Sequence, residues 1–208
     1  MARPTDPLVL ATTAYASDAG ERTVTVWRRD VEGTPAAALD YLRKHPDRNA
    51  LPNVLLYAVD APFGTNTGGR VVWVGYDYFA SNTRPWPTWS ADVIVHPATR
   101  QMYVAVLKTL PLRGTLSLFE VPANASLMPF PPNFAVANVD QWPEAPRAVA
   151  TFQQEAKDQV CTPTSMRMVP AAEGLLIAMT REPASCPPVY AEFNTASKSV
   201  REVVVSPR

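Results

Sequence analysis

The chain has 208 residues, with 19 Lys and Arg set against 19 Asp and Glu; at zero formal net charge and with no basic stripe, it lacks the electrostatic footprint of nucleic-acid binding. Its 47% hydrophobic content is enough for a substantial core, and its length is below the size at which splitting is expected, so a single domain over residues 1–208 is expected. The apolar runs are far shorter than a bilayer span and the N-terminal MARPTDPLVLATTAYASD has no long apolar segment, so neither a membrane-spanning helix nor a signal peptide is expected.

From the N-terminus, the first feature is a hairpin, PLVLATTAY then RTVTVWRRD: two β-rich runs of strand length joined by a polar connection. Residues 34–45 follow as a short helix, with Thr34 to cap it, Pro35 at its first turn, and Asp40 and Lys44 four apart on one face. Pro46 ends it. A second hairpin is NVLLYAVDA with RVVWVGYDY, a third QMYVAVLKT with GTLSLFEVP, and a fourth GLLIAMTRE with PVYAEFNTA.

These hairpins repeat. Leu10, Leu56 and Met102 are 46 residues apart, as are Trp27, Trp73 and Phe119; Leu176 and Phe193 each follow their third-copy counterparts by 74. A period of this size is that of a propeller blade. The third hairpin is flanked by strand-like runs at 92–96 and 134–139, and the fourth by 165–169 and 200–205, so each makes four consecutive strands, the content of one blade. The expected fold is therefore all-β, a propeller-like repeat of about four antiparallel blades near 7–52, 53–98, 99–160 and 161–208. Four hairpins around one pseudo-axis would put Trp27, Trp73, Phe119 and Phe193 in equivalent buried positions. The alternative is part of a larger propeller completed by a second chain. A further short helix is read at 151–159, and the many prolines, 22 against 8 Gly, stiffen the loops at 82–87, 129–132 and 142–146.

Cys161 and Cys186 come within a few residues of facing each other if 165–169 and 174–180 pair around a turn near Ala172. A disulfide closing the last unit is expected, and with it an extracellular or other oxidising compartment. Neither cysteine has a second ligand at metal spacing, so no metal is expected, and no cofactor motif occurs. Asn124-Ala125-Ser126 is a glycosylation sequon.

Catalytic signatures are few. His45 ends the helix and His96 ends a strand, both structural placements, and Asp18, Asp60, Asp77 and Asp92 are scattered over different units. The topology instead gathers loops at one mouth, where Trp86, Trp89 and Trp142 fall near Asp60, Asn66, Arg70 and Arg113. Indoles with polar neighbours form a stacking surface for a sugar ring or an apolar partner residue; the plainer reading is that they cover the ends of the core. The expected function is a binding or scaffold module for a partner protein or a glycan, and the alternative is a carboxylate-dependent glycoside hydrolase or lyase.

Overall fold

Alternating β-branched and aromatic runs pair as antiparallel strands throughout the computed structural model, which describes residues 7–31, 35–44, 46, 50–65, 67–78, 87–110, 113–132, 134, 141–155 and 161–204. The chain divides into two compact units, Met1–Thr83 with Asn124–Pro146, and Arg84–Ala123 with Arg147–Arg208.

The first unit holds one five-stranded sheet. Strands β1 (Leu8–Ser17), β2 (Gly20–Asp30), β3 (Val54–Pro62) and β4 (Arg70–Asp77) run up and down in chain order, and the two-residue β8 (Met128–Pro129) joins beside β4. Helix α1 (Pro35–Lys44) connects β2 to β3. It forms because its Ala- and Leu-rich run favours helix and Asp40 pairs with Lys44 at 3.2 Å. Thr34, the expected cap, and His45, the expected last helical residue, lie outside the described residues. One face of the sheet carries Leu55, Tyr57, Val59, Val71 and Val74, packed with Val31 and Phe134. Tyr41 of the helix packs with Leu51.

The second unit holds two four-stranded meanders. One is β5 (Thr88–Val95), β6 (Met102–Leu110), β7 (Arg113–Val121) and β9 (Ala150–Glu155); the other is β10 (Thr162–Ala171), β11 (Gly174–Glu182), β12 (Val189–Asn194) and β13 (Ser199–Val203). They stack face to face on one core in which Leu107, Leu116 and Leu118 of the first meet Leu175, Ile177, Met179 and Phe193 of the second, all nearly solvent-free.

The all-β antiparallel class is therefore as expected, and the last unit is the four consecutive strands read from the sequence. Three corrections apply. The described residues form three sheets where four blades were expected, because the first two hairpins share one sheet through the long β2–β3 pairing. The fourth strand of the third unit is β9, not 134–139; Phe134 is not in a strand, and 135–139 lie outside the described residues. And β9 occupies most of the segment read as a second helix, since a free sheet edge beside β7 offered its backbone a ladder.

The four aromatic positions are not equivalent either. Trp27 pairs with Val9 and Phe193 with Leu175, but Trp73 pairs with Ala58 and Phe119 with Val104, a register three residues removed. An odd shift turns a side chain to the other face of a sheet. Trp73 and Phe193 are buried, whereas Trp27 and Phe119 are half-buried. Leu10, aligned with Leu56 and Met102 by the repeat, is the unpaired residue of a bulge in β1.

Candidate functional site

Asp60 sits at the end of β3 where the chain turns toward β4, with its side chain only 1% exposed. A buried carboxylate needs partners, and three side chains supply them. Arg22 of β2 donates through Nε at 2.8 Å and the Tyr15 hydroxyl of β1 donates at 3.1 Å, both to Oδ1; Arg70, directly opposite on β4, places Nη2 3.4 Å from Oδ2. Four strands thus converge on one anion. Burial, and then the Asp60 charge, hold the Tyr15 phenol above its ordinary value, so it stays a neutral donor. The bond to Asp60 raises Arg22 further above its already high value.

Two guanidinium groups against one carboxylate leave the cluster with an excess positive charge. Arg70 is partly open to solvent, and its buried Nε has no hydrogen-bond partner. The same end of the sheet carries the β3–β4 turn, where Gly64 and Gly68 adopt left-handed φ of 75° and 74° that a side chain would resist. The turn projects Phe63, 58% exposed, beside an open depression of about 390 Å³ lined by Thr23, Phe63, Gly64 and Thr65. Phe63 and Thr23 fall on the face of the sheet opposite Asp60, because Asp60 pairs with Val24 while the Phe63 amide donates to the Glu21 carbonyl.

The residues expected at a common mouth are distributed as follows. Asp60 and Arg70 are brought together. Trp142 belongs to the same unit but packs at the other end of the sheet, stacked on Tyr76 with centroids 5.4 Å apart and edge-on to Phe134 at 5.8 Å, while the Tyr76 hydroxyl donates to the Pro143 carbonyl at 2.7 Å. It covers the core. Trp89 lies in β5 of the second unit, buried, with the Lys108 ammonium 5.9 Å from its ring centroid. Register puts the exposed Arg113 at the same end and on the same face of that sheet as Trp89. Trp86 and Asn66 lie outside the described residues.

Tyr15, Arg22 and Phe63 were missed. Tyr15 faces Arg22 across a two-residue turn at Asp18 and Ala19, a pairing that sequence alone could have supplied. The approach of Arg22 to Asp60 depends on the β2–β3 register, which the intervening helix hides.

The second buried carboxylate is Asp92 of β5. Its Oδ1 accepts the Val93 amide at 3.0 Å and its Oδ2 the Met168 amide at 2.6 Å, so it links the edge of one sheet to the edge of the other. Desolvation raises its pKa despite these two bonds and the Arg167 guanidinium, whose Nη1 lies 3.8 Å from Oδ1. His96 is buried as well, accepting the Thr99 amide at Nδ1. Among the described residues no three His, Cys, Asp or Glu converge as a metal site.

Cys161, just before β10, is bonded to Cys186 in the β11–β12 connection, with Cα atoms 5.7 Å apart. Among the described residues no helix is long and apolar enough to cross a membrane. No family model, curated protein or solved structure matches this chain.

Proposed function

We propose that the chain is a binding or scaffold module that recognises a partner protein or a glycan with the β1–β2 and β3–β4 turn end of its first unit. The observation that carries this reading is that one sheet end presents an exposed aromatic, Phe63, on one face and a rigidly held arginine pair on the other. An aromatic face supplies contact area at low entropic cost, and a guanidinium with spare donors supplies direction toward a carboxylate, carbonyl or hydroxyl oxygen. Asp60 serves as the anchor for the arginines.

The hydrolase alternative requires two carboxylates free to take and give protons across a sugar ring. Both buried carboxylates are instead saturated, Asp60 by three side-chain donors and Asp92 by two main-chain amides, which favours the binding reading. A propeller completed by blades of a second chain is part of this proposal, supported by the two four-stranded meanders of the second unit. So is an extracellular or otherwise oxidising compartment, with which the disulfide agrees.

A glycan array and a panel of candidate partner proteins, probed with the wild type and with Phe63→Ala, test the assignment. The expected result is a ligand retained by the wild type and lost by at least tenfold in the variant, whose melting temperature stays close to wild type because Phe63 is exposed. Equal retention by Phe63→Ala would move the site away from this turn.

A further inference from the structure

The β3–β4 turn end of the first unit brings an aromatic ring, a carboxylate and two hydroxyls to one side of its sheet. Phe63 borders an open depression of about 390 Å³, a volume within the range of about 300–1,000 Å³ that small-ligand sites occupy. The depression exists because its floor is low: Thr23 is flanked across the sheet by Ala14 on β1 and Ala61 on β3, so no tall side chain rises beside the ring. Glu21 precedes Thr23 by two residues on β2 and so shares its face, and the Phe63 amide donates to the Glu21 carbonyl at 3.0 Å, which sets these two residues opposite each other. Glu21 is exposed, and its carboxylate has no partner among the described residues. Thr65 Oγ1 accepts the Thr67 amide at 3.0 Å, which leaves its hydroxyl proton free to be donated.

We propose that this depression holds the ring of a neutral sugar, a pyranose of an uncharged glycan; this rests on the reading that the turn end is the binding site. A pyranose is apolar on its C–H face and ringed by hydroxyls, so it calls for an aromatic platform with acceptors and donors beside it. Phe63 supplies the platform. Glu21 supplies two oxygens that only accept, and a hydroxyl bound to a carboxylate is held about twice as strongly as one bound to a neutral group. Thr23 and Thr65 add hydroxyls that can donate or accept. Charge decides against an acidic glycan: the ionised group on this side is Glu21, while Arg22 and Arg70 lie with Asp60 on the opposite face. Isolation of the aromatic decides against a protein partner. Phe63 is the one large apolar side chain exposed among the described residues of the β1–β2 and β3–β4 turns, whereas a protein interface is centred on a cluster of such anchors.

An array of neutral and acidic glycans probed with the whole chain, followed by calorimetric titration of the neutral glycan retained best, tests this. The wild type is expected to retain uncharged glycans and to pass over sialylated, uronate-bearing and sulfated ones. Phe63→Ala and Glu21→Gln are each expected to weaken binding of the neutral glycan by about tenfold or more, and Phe63→Tyr, which keeps the ring, by less than about threefold. Phe63 and Glu21 are both exposed, so all three variants should keep the wild-type circular dichroism and melting temperature. A neutral panel that stays blank, retention confined to acidic glycans, full retention by Glu21→Gln, or equal losses in Phe63→Tyr and Phe63→Ala would each overturn the sugar assignment. A protein ligand lost in Phe63→Ala, with no glycan bound, would overturn it too while leaving the turn end as the binding site. A ligand kept in full by Phe63→Ala would overturn both.

Discussion

Asp92 is the residue whose chemistry most directly reports its burial. Its carboxylate accepts two amides, one from its own strand and one from β10, yet desolvation holds its pKa above the ordinary carboxylate value. A group whose folded pKa is raised contributes stability that is fully present below the unfolded pKa, about 3.8, and is lost as pH rises through the folded value. The wild type should therefore gain stability relative to Asp92→Asn between neutral pH and pH 4, and denaturant unfolding at both pH values measures the difference. Asp92→Ala should cost about 1–3 kcal/mol at neutral pH, because it strands buried amides. Trp89 makes the opposite kind of test. With its ring buried, Trp89→Ala should destabilise by about 3–5 kcal/mol, the range for large core truncations. A melting temperature near wild type would return the indole to the list of recognition residues.

At the level of elements, register decides more than composition. Hairpins β1–β2 and β11–β12 share one register, hairpins β3–β4 and β6–β7 another, and the three-residue difference divides four aromatics that the sequence aligns. Trp73→Ala and Phe193→Ala should each cost about 3–5 kcal/mol, since both side chains are almost solvent-free. Trp27→Ala and Phe119→Ala should cost about half that, in proportion to the area they keep from water; comparable losses at all four would contradict the two registers. The disulfide acts on the same scale. It closes a loop of 25 residues around β10 and β11, so on the chain-entropy account its removal should lower stability by about 3–4 kcal/mol. Unfolding of the Cys161→Ala, Cys186→Ala double variant checks this, and alkylation without reductant should find no free thiol in the wild type.

For the whole molecule, charge balance is the governing property. Nineteen basic residues offset nineteen acidic ones, and the calculated isoelectric point is about 6.7. Without net repulsion between copies, solubility should pass through a minimum near pH 6.7 and rise on either side as net charge grows. Turbidity against pH at low salt, where screening is least, measures the position of the minimum. A minimum displaced by more than about a unit would show that the exposed charges do not titrate as an unperturbed set.

Local signals were enough for the all-β class, the helix between the first two hairpins, the complete last sheet and the disulfide. Each depends on neighbours in sequence: alternation, a Pro at a helix start, an Asp four residues before a Lys, or a tight turn that sets the register of the cysteines. The pairing of β2 with β3, the recruitment of β9 instead of a segment nearer β7, and the cluster of Tyr15, Arg22, Asp60 and Arg70 were decided only by tertiary structure. Loop closure across a helix or a long connection costs nearly the same for several registers, so chain statistics do not choose among them. Burial chooses. Asp60 is tolerated in the interior only where two arginines reach it, and β9 takes the edge where its backbone groups find partners and Phe152 finds a core.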